Sequence, residues 1–327
     1  MKTLYFFILS FVLCSNSYAF LNSLGNHPTA FMMPKGQLES TLTHYQMNST
    51  LDLLNIRDLT PNQPDVLGNM KGNGLSLKFG ASDLFTVLYD RKKNNYSYTR
   101  GDVGITSEYL GVKYVVKDMG PDKPLISLQV GNRKNRGAGI SKTFTNVSFQ
   151  NANFVLNPSA KLQFGGVKDQ AKTYMLVASK QLRKKLMGSA FVEYSFGSVR
   201  SELASNIPIT QLSSILDVLS YKTRKRDFGY SLHYQMDSKN MLSMDYHYTL
   251  MDRSIDVADP IDVNEQINAQ FTQGINKQSE WFLSAKYMKN NFVGEHSFLY
   301  NKLSASRFDR KYGYLGVGYT FRYGYSN

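Results

Sequence analysis

The sequence has little of what stabilises small secreted domains and little of what builds membrane helices. Its one cysteine is Cys14, so the chain beyond that point has no disulfide to stabilise it. After residue 19 no apolar run approaches the roughly 20 residues that a membrane-spanning helix needs, and the mean hydropathy is −0.34. These absences exclude a helical membrane protein and a disulfide-stapled domain. What is abundant is aromatic: 22 Tyr and 20 Phe, a composition that favours strands.

The N-terminal residues predict an export signal. Lys2 precedes the apolar run LYFFILSFVL, and small residues follow at Ser17 and Ala19. A basic start, a short apolar core and a small-residue site are typical of a secretory signal peptide. We expect cleavage after Ala19, which makes residues 1–19 the signal peptide. The alternative, a membrane anchor, is disfavoured because roughly ten to thirteen apolar residues are too few to span.

The last residues, YLGVGYTFRYGYSN, alternate with a period of two, which is strand geometry. One face is apolar and largely aromatic: Leu315, Val317, Tyr319, Phe321, Tyr323 and Tyr325. The other is small or polar: Tyr314, Gly316, Gly318, Thr320, Arg322 and Gly324. The same alternation occurs over 228–236 and 242–250, on either side of the turn SKN, and this arrangement predicts a β-hairpin.

Such runs recur along the chain and are longer than the usual strands of a soluble sandwich. They predict an all-β protein: a single antiparallel transmembrane β-barrel over 37–327, with short periplasmic turns and long extracellular loops. We expect about fourteen strands, at 37–48, 72–81, 84–97, 103–117, 125–133, 142–150, 159–167, 172–182, 186–200, 227–237, 241–253, 265–275, 279–290 and 311–325. Twelve is the alternative, because 142–150 alternates poorly and two strands within 134–170 can be removed together.

Residues 20–36, FLNSLGNHPTAFMMPKG, are neither strand-like nor strongly polar. We consider two arrangements for residues 20–36. In one they fold into the lumen as a plug, with Phe31, Met32 and Met33 against the wall. In the other they form a periplasmic leader.

Two short stretches resemble known protein families. The spacing of Tyr314, Gly316, Tyr319 and Phe321 resembles the C-terminal β-signal of Gram-negative outer-membrane proteins. That resemblance implies a location in the bacterial outer membrane, with the barrel assembly machinery as a partner. The segment HPTAFMMPKGQLE at 27–39 is similar to the entry to the first strand in outer-membrane proteins of exopolysaccharide and capsule export.

Inward-facing residues are where a barrel's function resides. With the apolar faces turned outward, the lumen-facing candidates are Lys78, Lys113, Lys161, Glu193, His233, Asp245, His247, Glu280, Lys286 and Arg322. The basic excess, with a formal net charge of +13 for the chain, predicts a preference for anionic solutes. The alternative is that many cations contact outer-membrane lipid headgroups or lipopolysaccharide phosphates. Nucleic acid is not an expected partner.

The 227–253 hairpin offers the best arrangement for chemistry. With Asp237 opposite Met241, His233 would lie opposite Asp245 and Ser231 opposite His247. Such a group could bind a metal or activate a serine. We favour an ordinary hydrogen-bonded wall, and expect neither an enzyme nor a cofactor or metal.

The combined expectation is a channel or transporter for a small solute, anionic or apolar. Fourteen strands also resembles the count in long-chain fatty-acid and aromatic hydrocarbon transporters, a likeness of fold alone. Two alternatives are an accessory protein of polysaccharide export or envelope assembly, and an outer-membrane lipid hydrolase.

Overall fold

Antiparallel strands make up almost all of the described chain. The computed structural model describes residues 27–47, 67–98, 101–120, 123–137, 140–143, 146–149, 152–155, 161–205, 220–255, 262–289 and 311–324. The strands are β1 (Leu38–Met47), β2 (Leu67–Ser82), β3 (Phe85–Tyr98), β4 (Gly101–Asp118), β5 (Leu125–Gly137), β6 (Ile140–Thr143), β7 (Asn146–Phe149), β8 (Ala152–Val155), β9 (Lys161–Arg183), β10 (Leu186–Ser205), β11 (Tyr221–Gln235), β12 (Asn240–Arg253), β13 (Val263–Gly274), β14 (Ser279–Lys289) and β15 (Lys311–Tyr323). Within these ranges no helix is long and apolar enough to cross a membrane. The expected signal peptide lies outside them.

Twelve of the described strands form a closed ring. β1 to β5 pair in order, β5 pairs with β9, and β9 to β15 continue the sequence. The ring closes because β1 pairs with β2 on one side and with β15 on the other, which sets Thr41 opposite Thr320. Closure leaves no open strand edge in the ring, as a sheet surrounded by lipid requires. The predicted single antiparallel β-barrel is therefore confirmed.

The strand number is the predicted alternative of twelve, and fourteen is wrong. The expected wall strand 142–150 is replaced by parts of β6 and β7, which lie outside the ring. The expected strands 159–167 and 172–182 are one continuous strand, β9. Residues 168–171, KDQA, which the prediction left between two strands, continue the pairing with β5 and β10. Asp169 accepts a hydrogen bond from the Asn135 side chain at 2.7 Å, and Lys168 lies opposite Arg136.

The two ends of the barrel differ in the length of the segments that join consecutive strands. The short turns join the strands at 83–84, 119–124, 184–185, 236–239 and 275–278. The long connections, at 48–66, 138–160, 206–220, 254–262 and 290–310, join strands at the other end, where β3 and β4 are the exception, joined by only two residues, 99–100. In outer-membrane barrels the short turns face the periplasm and the long loops face outside. We call the two ends periplasmic and extracellular on that basis.

Burial is inverted relative to a soluble protein. Large apolar side chains on the outer face are exposed, for example Leu110 at 61% and Leu283 at 51%, while Ser231, His233 and Ser243 on the inner face are fully buried at 0%. Lipid would cover the outer apolar belt, and the inner polar groups bond to one another. The barrel's packed interior is thus a polar network, and any site inside it is built from hydrogen bonds and ion pairs.

Candidate functional site

Residues 27–34, here called the inner segment, lie inside the barrel against its polar wall. Ala30 and Met33 are buried, as are His27 and Thr29. The segment has no regular secondary structure and precedes β1, which begins at Leu38. It therefore enters the lumen from the periplasmic end, and its backbone groups must find partners on the wall.

Hydrogen bonds from several strands hold the inner segment. The backbone N–H of Ala30 donates to Ser179 Oγ on β9 at 2.7 Å, and that of Met33 donates to Thr86 Oγ1 on β3 at 2.9 Å. The Lys113 ammonium on β4 donates to the Thr29 carbonyl at 3.2 Å. On the opposite side, the Ser231 hydroxyl on β11 donates to the Pro28 carbonyl at 3.0 Å. The segment thus connects distant parts of the barrel wall.

An ion-pair cluster lies near the periplasmic end. Glu39 on β1 is 2.9 Å from Lys78 Nζ on β2 and 2.9 Å from Arg322 Nε on β15. Arg322 also contacts Glu280 on β14, at 3.0 Å. Glu39, Glu280 and Arg322 are buried, so each charge depends on its partners rather than on water. The cluster spans the seam at which the ring closes.

A second cluster joins the inner segment to β11 and β12. His27 Nδ1 contacts Asp245, whose other oxygen accepts a hydrogen bond from Asn268 at 2.6 Å. His247 contacts Asp245 at 3.1 Å through Nε2 and Asp227 at 2.8 Å through Nδ1. The His27 and His233 rings meet edge to face at 5.4 Å. His27, which lies outside every described strand, therefore completes the network.

The predicted register of this hairpin was wrong by two residues. Ser231 lies opposite Asp245, His233 opposite Ser243, and Gly229 opposite His247. The cause is the turn: Met241 lies opposite Gln235 rather than Asp237, and the Met236 N–H donates to the Asn240 carbonyl at 3.0 Å. Because a shift of two preserves the side to which residues point, the predicted side chains still share the lumen face.

The serine and histidine groups do not form a catalytic triad in the described part of the chain. Ser231 donates its proton to the Pro28 carbonyl, so it accepts a hydrogen bond from His233 Nε2, at 3.2 Å. His233 Nδ1 contacts Ser243 Oγ at 2.9 Å. His233 thus has a serine on each nitrogen, whereas His247 has a carboxylate on each. A triad needs one histidine between a serine and a carboxylate.

Two spaces lie beside the inner segment. One, of about 340 Å³, is bounded by the segment and by β1 to β5, and includes Lys78, Lys113 and Tyr109 in its wall. The other, of about 350 Å³, is bounded by β11 to β15, with Asp227 and Lys286 in its wall. Both are lined by His27, Pro28, Thr43, Lys92, Arg133 and Glu193. Both walls carry cations and carboxylates side by side.

The predicted lumen residues can now be placed. Lys78, Glu280 and Arg322 belong to the periplasmic ion-pair cluster, and His233, Asp245 and His247 to the histidine network. Lys113 bonds the inner segment, while Glu193 and Lys286 line the spaces beside it. Lys161 begins β9, and its side chain lies outside the described part.

Sequence reasoning missed other residues of these clusters. Asp227 has the same parity as the predicted inward residue His233, and Glu39 lies on the face opposite to Leu38 and Leu42, so alternation could have found both. His27 gives no such signal, because it lies outside every strand. Its contact with Asp245 joins residues 218 positions apart and depends on the path of the inner segment.

The predicted assembly-signal residues lie on both faces of β15. Tyr319 and Phe321 are exposed on the outer face, whereas Gly316 is buried on the inner face. The Tyr314 ring faces inward, 5.6 Å from the Tyr45 ring. Recognition of these residues by the assembly machinery stays a prediction.

Comparisons with known proteins identify the architecture. No protein-family model and no curated protein matches the chain. Among solved structures, the translocator domain of the autotransporter NalP from Neisseria meningitidis matches with a TM-score of 0.52 and 9% identity, over 89% of this chain and 90% of that one. The NanC porin matches at 0.48 and 9% identity, over 86% and 98%. An outer membrane channel from Pseudomonas putida F1 matches at 0.48 and 9% identity, over 91% and 100%.

The NalP likeness shows a shared fold, since the identity is too low to carry function. That fold, a ring of twelve described strands, and the exposed apolar outer belt agree with the prediction from alternation. The chain has the fold of a bacterial outer-membrane β-barrel.

Proposed function

We propose that this chain is an outer-membrane channel for small hydrophilic solutes, narrowed by the inner segment. The observation that carries the proposal is the attachment of residues 27–34 to wall strands on both sides of the lumen, through Ser179, Thr86 and Ser231. Two spaces of about 340 and 350 Å³ lie beside the segment held in this way. Their sizes are those of small-molecule sites, roughly 300–1,000 Å³.

The wall chemistry supports a polar, uncharged solute. The second space is lined by amide and hydroxyl side chains on β12 and β13: Thr249, Asn264, Gln266, Asn268 and Gln270. Amides donate and accept hydrogen bonds, which suits hydroxylated solutes. Cations in both walls stand beside carboxylates such as Glu193 and Asp227, so the lumen field is mixed in sign. We therefore favour a neutral hydrophilic solute over an anionic or apolar one.

Gly80 on β2 gives a sharp test of the constriction. A methyl group at this position would overlap the Pro34 carbonyl oxygen and lie 2.7 Å from that of Met33. Because these are backbone atoms, no rotamer change relieves the overlap. Gly80→Ala should push the inner segment off the wall and raise single-channel conductance in planar bilayers, as deletion of residues 27–34 should.

Gly74→Ala is the matched control, because it lies on the same strand and its methyl would meet the Thr43 side chain at 2.8 Å instead. Its conductance should equal that of the wild type. Wild-type current should also show little selectivity between K⁺ and Cl⁻. No conductance from any variant would overturn the channel proposal and favour the accessory role in envelope assembly. Strong Cl⁻ selectivity would overturn the neutral-solute assignment alone.

A further inference from the structure

The inward side chains of β13 that border the second space are all carboxamides. Asn264, Gln266, Asn268 and Gln270 line that space of about 350 Å³ and are here called the amide ladder. They alternate with outward residues such as Ile267, which is 40% exposed on the lipid side. With a rise of about 3.4 Å per residue, the ladder extends for about 20 Å along the wall.

Contacts within the wall orient two amides of the ladder. Asn268 Nδ2 donates to Asp245 Oδ1 at 2.6 Å, and Gln270 Nε2 donates to Thr272 Oγ1 at 3.0 Å. A carboxamide has a second N–H and an acceptor oxygen besides the N–H used in each of these bonds. The ladder therefore offers a ligand both donors and acceptors at fixed places along one line.

Two tyrosine rings lie beside the ladder, on β15 and β1. Asn268 lies opposite Lys286 on β14, and Lys286 lies opposite Tyr314 on β15. The Tyr314 ring is 5.6 Å from the Tyr45 ring, and both residues line the second space. Strand pairing thus leads from an amide, across one cation, to a pair of aromatic rings.

The position of the Tyr45 ring is fixed by its neighbours. Its hydroxyl donates to Asn94 Oδ1 at 2.5 Å. A methyl group at Gly72 on β2 would overlap the ring, so the ring lies directly over a residue that has no side chain. A ring held in this way loses little conformational freedom when a ligand packs beside it.

We propose that the amide ladder and the two tyrosine rings form a binding track for a linear, uncharged oligosaccharide. This inference rests on the proposed function, because the track is one wall of the proposed channel. Sugar hydroxyls donate and accept hydrogen bonds as carboxamides do, and the C–H faces of a pyranose pack on aromatic rings. A length of about 20 Å is several times that of one sugar ring, so successive sugar units would contact successive amides.

An extended peptide fits the same wall less well. Peptide recognition takes its specificity from pockets for alternate side chains. The side chains beside the ladder on β12 and β14, such as Thr249 and Ser284, are polar. We therefore assign the track to carbohydrate.

The binding test uses the mature full-length barrel, refolded in neutral detergent and titrated by calorimetry with maltohexaose and with cellohexaose. The wild type should bind at least one of them, and glucose at least about tenfold more weakly, because one ring covers only part of the ladder. Binding of neither hexasaccharide would overturn the proposal. Equal affinity for glucose would overturn the extended track, and equal affinity for tetraalanine would assign the site to peptide instead.

Three single variants locate the site. Gln266→Leu and Tyr314→Leu should each weaken hexasaccharide binding about tenfold, by removing hydrogen bonds and ring packing respectively. Gln273→Leu is the matched control, on the same strand but on the outer face, where Gln273 Oε1 accepts a hydrogen bond from Trp281 Nε1 at 2.9 Å. Its affinity should equal that of the wild type. Heat-modified gel mobility confirms that each variant has folded.

Unchanged affinity in both track variants would overturn the assignment. An equal loss in Gln273→Leu would do the same, because it would trace the effect to disturbance of β13. Conductance in planar bilayers separates this inference from the channel proposal. A barrel that conducts ions but binds neither hexasaccharide overturns the binding track alone, whereas one that binds a hexasaccharide without conducting overturns the channel alone.

Discussion

At the scale of single residues, the barrel interior contains buried charges that are stabilised by ion-pair partners rather than by water. Glu39 is 3% exposed and contacts both Lys78 and Arg322, each at 2.9 Å. A buried ion pair contributes little net stability over an apolar pair, but removing one partner is costly because the other charge is left in a poor environment.

Glu39→Gln should therefore lower the free energy of unfolding by about 3 kcal/mol. The expected value lies at the lower end for a buried pair because Arg322 keeps Glu280 as a partner. The measurement is urea-induced unfolding of the barrel in lipid vesicles, followed by Trp281 fluorescence.

Glu108→Gln is the comparison for that measurement. Glu108 contacts Arg91 at 3.6 Å on the outer face, and both side chains are substantially exposed. Exposed pairs contribute only about 0–1 kcal/mol. If the two substitutions cost the same, burial does not determine the cost and the argument from Glu39 is wrong.

At the scale of elements, the β11–β12 turn sets the hairpin register. The Asp237 carboxylate accepts hydrogen bonds from the Asn240 side chain at 2.7 Å and from the backbone N–H groups of Lys239 and Asn240 at 2.8 and 2.9 Å. These bonds, the Asn240 side chain foremost, lower the pKa of Asp237 below its ordinary value. The turn thereby fixes which inward residues of the two strands meet.

Asp237→Ala should lower the urea midpoint at pH 7 by removing all three bonds, and Asp237→Asn should lower it less. Because the folded-state pKa is depressed, the carboxylate's contribution is present above the unfolded pKa and is lost as pH falls through the folded value. The wild type should therefore lose its advantage over Asp237→Asn in acid. If the difference in urea midpoint between the wild type and Asp237→Asn stays constant from pH 7 to below the ordinary pKa of a carboxyl group, the charge of Asp237 does not stabilise the turn.

At the scale of the whole molecule, assembly and stability should depend on different faces of β15. Phe321 is 42% exposed on the outer face, so it adds little to packing within the folded barrel. If it belongs to an assembly signal, Phe321→Ala should reduce the amount of barrel in the outer membrane several-fold. The yield of refolding in detergent should be unchanged. Quantitative blotting of membrane fractions measures the first, and heat-modified gel mobility the second.

Tyr323→Ala is the control for assembly. Tyr323 points outward like Phe321 and is 70% exposed, but it lies outside the four predicted signal residues. Wild-type levels are expected for it. An equal drop for both variants would attribute the effect to loss of outer aromatic surface rather than to a signal.

The sequence by itself determined the barrel, because a period-two pattern with aromatic residues on the apolar face specifies which way each side chain points. The same parity placed Asp245, His247 and Arg322 in the lumen without any knowledge of strand neighbours. A shift of two residues in register leaves this orientation intact. For that reason the inward assignment of these residues survived an incorrect register.

Tertiary structure alone decided the strand number, the pairing and the path of the inner segment. Lys168, Asp169 and Gln170 put polar side chains on both faces, and only their pairing with β5 and β10 distinguishes a continuous strand from a turn. The contact of His27 with Asp245 joins residues 218 positions apart, and no local pattern encodes such a distance. Local periodicity fixes the direction of side chains, whereas partners across the ring are chosen by closure of the barrel.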